Sequence, residues 1–272
     1  MTQDPPPAQT SSEMEFYQRY YAAVNTSHAN AQYCERLFGA NYCQHGFAEV
    51  AHLDHALQVS GLQPGQRALD LGCGNGLITE YLCDRSGAHF TGIDFIPEAI
   101  RQANERTQAK KKALRFQVMD MAQLDFPPGS FDTVFAVDTL YFAPEEQVLP
   151  RIFSALKPGG CLVAFWSQGA DPMTPLAVFD RATLPPDCTE LGAALKKRGW
   201  AFQTWEYSLA DYQHAQRKLE ISQALRAEFE AEGNLFLCDN HIGEARGVIE
   251  AFEAQAHARY LYRVEKPAPG AV

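Results

Sequence analysis

The sequence contains no apolar run approaching the roughly 18 residues a membrane-spanning helix needs, so no membrane partner is expected. It has no excess of positive charge: 23 Lys and Arg stand against 33 Asp and Glu, a formal net charge of -10. An acidic surface repels a phosphate backbone, which argues against DNA or RNA as partner. The one basic run, Lys110-Lys111-Lys112, is short and reads as a solvated loop or a helix end, where lysines suit the helix dipole. No CxxC occurs, and the seven cysteines are odd in number and irregularly spaced. This excludes a disulfide framework or a cysteine zinc site and points to free thiols in a reducing, cytoplasmic setting. His52 and His55 form an HxxH without further ligands at metal spacing, so no metal is expected. Met1 to Glu13 is rich in Pro, Gln, Ser and Thr and has neither the basic nor the apolar region of a signal peptide. Residues 1–14 therefore read as a disordered tail.

What the chain does have is apolar content, 46% of 272 residues, enough for one large α/β domain with a substantial insertion. Residues 15–31 and 47–60 have helical patterns and together make an N-terminal helical lid over 15–60. From Arg67 onward strands and helices alternate. Strands are expected at Arg67–Leu71, His89–Ile93, Leu114–Val118, Phe131–Val137 and Cys161–Trp166, with helices at Leu77–Ser86, Pro97–Gln108 and Glu145–Leu156. Such alternation predicts a mostly parallel sheet covered by helices on both faces. The second half is less regular. Helices are expected at Leu191–Arg198, Leu209–Glu232 and Ile242–His257, and strands at Phe202–Tyr207 and Arg259–Glu265. Pro172, Pro175, Pro185 and Pro186 mark a loop-rich stretch. The resulting division is a core at 61–208, a helical cap insertion at 209–257, a final core strand at 258–266 and a tail at 267–272.

The most informative segment is Ala68-Leu69-Asp70-Leu71-Gly72-Cys73-Gly74-Asn75-Gly76, which sets glycines at a strand-to-helix turn. Glycine there lets the backbone come close to a ligand, and the helix that follows offers free N–H groups. The spacing is GxGxG, not the GxGxxG of a dinucleotide turn, and Asp70 sits just before the first glycine. A pyrophosphate would be repelled by that carboxylate, whereas an amine or sulfonium would not. The sign favours S-adenosylmethionine over NAD. Asp94, at the tip of the second strand, can accept two hydrogen bonds from a ribose diol. Asp120 can accept from an adenine amine and Met121 can pack on the purine. Ala136 to Phe142 lies at the carboxyl edge of the sheet, where substrate must also lie.

With these residues in hand, the sequence resembles the class I S-adenosylmethionine-dependent methyltransferase superfamily, in particular its small-molecule group. The matching stretches are Leu69–Gly76, Gly92-Ile93-Asp94, Phe131-Asp132-Thr133-Val134 and Leu156-Lys157-Pro158-Gly159-Gly160. The resemblance implies a Rossmann-like seven-stranded sheet in the order 3-2-1-4-5-7-6 with the last strand antiparallel. It further implies that Gly72, Cys73 and Gly74 line the methionyl part of the cofactor, that Phe95 lies beside the adenine, and that the Val137 carbonyl is near the amino group. S-adenosylhomocysteine would be the product. The lid and cap layout resembles sarcosine, sterol and quinone methyltransferases.

Specificity should come from the lid and cap, with Tyr20, Tyr21, Tyr42, Gln44, His45, Tyr141 and Trp166 as candidates. In similar enzymes the Tyr42–Gly46 region folds over the sulfonium. His45 suits a general base because a histidine titrates near neutrality, and Tyr141 follows the fourth strand directly. The expectation is therefore methyl transfer to a small-molecule N, O or C nucleophile by a monomer or homodimer. Two other functions compete with it: a cofactor-binding regulatory partner without transferase activity, and an NAD-dependent oxidoreductase.

Overall fold

The computed structural model describes residues 11–43, 45–169 and 175–267. Gln44, Pro172 and most of the two expected tails lie outside the described residues. Seven strands make one sheet: β1 (Arg67–Leu71), β2 (His89–Asp94), β3 (Leu114–Val118), β4 (Phe131–Ala136), β5 (Leu156–Gly169), β6 (Phe202–Glu206) and β7 (His257–Glu265). Their order is β3-β2-β1-β4-β5-β7-β6, as the sequence leads one to expect. Neighbours from β3 to β5 pair in parallel, and β7 is antiparallel to both β5 and β6.

Successive side chains of a strand point to opposite faces, so each strand feeds two cores. Leu69, Leu71, Val134, Leu162 and Trp166 pack against α6 (Glu145–Ala155) and α7 (Glu190–Lys197). Ala68, Phe90, Phe135, Val163 and Phe165 pack against α3 (Val50–Ser60), α4 (Leu77–Ser86) and α5 (Pro97–Arg106). A third core lies beside the sheet. It joins α1 (Ser11–Val24) and α2 (His28–Phe38) to α8 (Ser208–Ala224), α9 (Arg226–Ala231) and α10 (Leu235–Glu253) through Tyr33, Leu37, Phe38, Phe229 and Leu237. Lid and cap are thus one packed helical layer. None of the described helices is long and apolar enough to cross a membrane.

Local chemistry moved several boundaries. The pattern read as one helix over 15–31 is two, because Ser27 caps α2 by accepting from the Asn30 N–H at 3.0 Å. α3 starts at Val50, not Phe47, because Glu49 and His52 form its capping box. The pattern over 209–232 divides at Leu225, and α10 begins seven residues before the expected Ile242 because Leu237 and Cys238 bury into the third core. α10 ends at Glu253, and Gln255 turns the chain into β7 at φ +54°. Leu156 opens β5, and the Lys157–Gly160 segment read as a helix stop is bulged out between the pairs Phe131–Leu156 and Thr133–Cys161.

Candidate functional site

At the carboxyl end of β1 the chain reverses through Gly72, Gly74 and Gly76, all in the left-handed region at φ +65°, +55° and +77°. All three positions exclude a side chain, Gly76 because a Cβ there would lie 2.5 Å from the Phe116 ring. A Cβ on Gly72 would lie 2.6 Å from the Thr139 methyl, and one on Gly74 would fall on the Tyr21 hydroxyl. The turn is stitched to β2: the Cys73 N–H donates to the Ile93 carbonyl at 2.9 Å, and the Gly74 N–H to Asp94 Oδ2 at 2.9 Å. The Ile96 N–H donates to the other Asp94 oxygen at 2.9 Å. Burial raises the Asp94 carboxyl, and the N–H groups of Ile96 and Gly74 offset part of that rise. Each oxygen keeps acceptor capacity for a further donor.

Above the turn lies a cavity of about 250 Å³. It gathers residues from five places in the sequence. Gly72, Cys73 and Gly74 come from the turn, Asp94 and Phe95 from the end of β2, Asp120 and Met121 from the end of β3, Val137 and Tyr141 from beyond β4, and Tyr21, Tyr42 and His45 from the lid. Of the residues singled out from sequence, three described ones lie outside its lining. Tyr20 is buried at 1% exposure and donates to the Cys43 carbonyl at 3.2 Å, bracing the lid from behind. Trp166 is equally buried in the sheet core and donates to Gln168 Oε1 at 3.2 Å. Asp70 shares the Ala68 face of β1, so it points at α4, where the Thr79 hydroxyl donates to it at 2.6 Å. The sheet's own pleat therefore removes Asp70 from the ligand that its position before Gly72 suggested. Asp120 caps a short 3-10 turn by accepting from the Ala122 N–H at 2.8 Å while lining the cavity.

Asp138 and Phe142, within the Ala136–Phe142 stretch expected at the sheet's carboxyl edge, also line the cavity, and so do Tyr17, Phe47 and Glu244, which the sequence reading did not single out for the site. Tyr17 lies one helical turn before Tyr21, its hydroxyl 3.3 Å from His45 Nδ1 and its ring 5.6 Å from that of Phe142. On the other side of the imidazole, His45 Nε2 lies 3.2 Å from Glu244 Oε1 and 2.8 Å from the Asn240 amide. Glu244 in turn receives Lys218 Nζ at 2.5 Å. Burial lowers the His45 imidazole below its ordinary range. Burial would raise Glu244, but His45 and Lys218 hold it below the usual carboxylate range. Nε2 thus faces an acceptor, the Glu244 carboxylate, and a donor, the Asn240 amide, while Nδ1 faces the Tyr17 hydroxyl.

A second polar chain ties the cavity floor to the cap. Asp138, at φ +56°, accepts from the Phe47 N–H at 3.0 Å and is 2.7 Å from Arg259. Arg259 reaches Asp211 of α8 at 2.8 Å, and Asp211 meets His257 at 3.0 Å. Burial would raise Asp211, but Arg259 and His257 keep it low. Position after β4 was a usable signal for Asp138. For Glu244, Lys218 and Arg259 there was none, since each is one charged residue among many until the cap folds down.

Residues 68–160 match a family model described as a methyltransferase domain. Phosphoethanolamine N-methyltransferase 1 of Arabidopsis thaliana is 31% identical over 165 residues, 60% of this chain and 33% of that protein. A 2-methyl-6-phytyl-1,4-hydroquinone methyltransferase of Synechocystis is 36% identical over 125 residues, 45% of this chain and 39% of that protein. The chain thus matches about a third of the length of these curated relatives. Among solved structures, Haemonchus contortus phosphoethanolamine N-methyltransferase 2, in complex with phosphomonomethylethanolamine and S-adenosylhomocysteine, superposes with a TM-score of 0.72 at 20% identity. That alignment covers 92% of this chain and 60% of the other, and at this identity it speaks for the fold.

Proposed function

Because the chain carries a methyltransferase domain of the class I S-adenosylmethionine-dependent superfamily, we propose that it transfers a methyl group from S-adenosylmethionine to a small molecule. The observation that carries this reading is one cavity in which the glycine turn, Asp94, Asp120 and an aromatic lid all meet. Its walls suit the cofactor. Gly72 and Gly74 leave room beside the turn, Asp94 offers acceptors for a ribose diol, and Asp120 with Met121 and Phe95 would hold an adenine. S-adenosylmethionine, when bound, supplies an already activated methyl group. What the protein itself contributes is alignment and the exclusion of water.

Tyr17, Tyr21 and Phe142 line the cavity and would keep water from the reacting centre. In the tautomer with its proton on Nε2, toward Glu244, His45 Nδ1 would take a proton, directly or through the Tyr17 hydroxyl, from a nucleophile that keeps one at neutral pH. Glu244 would accept the Nε2 proton of that tautomer. The names of the relatives, phosphoethanolamine N-methyltransferases, favour nitrogen as the accepting atom. The seven free thiols suit a cytoplasmic setting.

Isothermal titration tests the reading. S-adenosylhomocysteine should bind the wild-type protein in the micromolar range. Asp94→Ala should weaken it about 10- to 100-fold, the loss of one or two charge-assisted hydrogen bonds. No heat and no thermal shift with the wild type would remove the reading.

A further inference from the structure

We infer that the acceptor is an amine presented as, or next to, a cationic or neutral group, and that an acceptor bearing a phosphate or other compact anion is rejected. This rests on the cofactor reading above and concerns the other half of the same cavity. That half is set by contacts. Tyr21 covers the glycine turn, and one helical turn away Tyr17 meets Phe142 and His45, which in turn meets Glu244. Tyr141 adjoins Phe142, with ring centroids 5.1 Å apart, and Asp138 sits below them.

The charges facing this space have one sign. The described residues lining the whole cavity include the acids Asp94, Asp120, Asp138 and Glu244, and among them there is no Lys or Arg. The two nearest cations are turned away. Lys218 and Arg259 are wholly buried behind Glu244 and Asp138, at 2.5 Å and 2.7 Å, so carboxylate oxygens and not ammonium or guanidinium groups form the surface. His45, the one basic side chain in the lining, is held neutral by burial. A dianion entering here would lose its hydration and meet like charge with no charge-assisted donor in return. The backbone N–H groups at the start of α4 belong to the cofactor's end of the cavity. An ammonium centre meets the opposite conditions: the faces of Tyr17, Phe142 and Tyr141 offer cation–π contact, and Glu244 and Asp138 offer negative oxygens. An amine must lose a proton before it attacks, and the neutral His45 beside Tyr17 is placed to receive it.

The test pairs binding with turnover. Calorimetric titrations with saturating S-adenosylhomocysteine would use benzyltrimethylammonium, inorganic phosphate and phosphoethanolamine as probes. Benzyltrimethylammonium should bind, and the two phosphates should give no heat at tenfold higher concentration. In a turnover screen, S-adenosylhomocysteine should form with primary amines at least tenfold faster than with their phosphorylated counterparts. Glu244→Gln alone would strand Lys218, so the informative variant is Glu244→Gln with Lys218→Met, which keeps a hydrogen-bond acceptor for His45. It should weaken benzyltrimethylammonium at least fivefold and leave S-adenosylhomocysteine affinity within threefold. Phe142→Leu should weaken the ammonium probe similarly, without the risk of an unpaired charge. Tighter binding of phosphoethanolamine than of ethanolamine would overturn the inference, as would ammonium affinity untouched in both variants. Failure of S-adenosylhomocysteine to bind would instead overturn the cofactor reading, and titration of the ammonium probe without it would still decide the charge preference.

Discussion

At the scale of the residue, Asp70 shows how burial turns a carboxylate into a pH-dependent cost. Burial pushes it up to about 7, against an ordinary 3.8, with the Thr79 hydrogen bond opposing and the Asp94 charge adding to the rise. A raised carboxyl favours the folded state while it is protonated. Its penalty is absent below about pH 4, grows as pH rises from 3.8 toward 7, and is complete above 7. The full penalty is on the order of 4 kcal/mol. Asp70→Asn keeps an acceptor for Thr79 and has no charge to bury. It should raise the melting temperature of the ligand-free protein at pH 8, by the equivalent of roughly 2–4 kcal/mol, and lose that advantage by about pH 4. An equal gain at both pH values, or none at pH 8, would show that burial of this charge is not what costs stability.

At the scale of the element, α3 carries a titrating cap of opposite sign. The Glu49 N–H donates to His52 Nδ1 at 3.2 Å, and the imidazole is buried against Phe165 and Tyr207. Burial, and then the Arg259 charge, lower His52 to about 4 from 6.5. A depressed imidazole contributes stability that is complete above about pH 6.5 and is lost as pH falls from there toward 4, roughly 3 kcal/mol in all. His52→Gln can keep the capping hydrogen bond without titrating. Urea titrations at pH 7 and pH 4.5 should show a smaller acid loss for this variant than for the wild type. The element matters for the site because the same cap fixes where the lid segment His45–Phe47 ends.

At the scale of the molecule, Arg259 joins three parts. It reaches Asp138 at the cavity floor, which in turn holds the lid through the Phe47 N–H, and Asp211 in the cap. Arg259→Met would leave two buried carboxylates without their partner and should cost about 3–5 kcal/mol. It should also weaken S-adenosylhomocysteine binding, because the lid loses its anchor. A stability loss with unchanged cofactor affinity, read by denaturation and calorimetry together, would separate the clamp from the site.

The sequence alone determined the alternation of strands and helices and the βα turn, and its resemblance to the methyltransferase superfamily supplied the sheet order. The reason is local: a strand with four buried residues in a row, a trio of glycines and an acid at the tip of the next strand form a contiguous, short-range code. Asp94, Phe95, Asp120 and Met121 were legible because each lies at a strand end that topology brings to one edge. Only the tertiary structure decided the opposite wall of the cavity. Tyr17, His45, Asp138 and Glu244 come from four distant stretches, and no spacing in the chain relates them. Their meeting depends on the lid and cap burying Tyr33, Phe38, Phe229 and Leu237 against one another, a long-range apolar contact. The pleat of β1, likewise, and not the order of residues, sent Asp70 to α4 and left Asp94 to face the cavity.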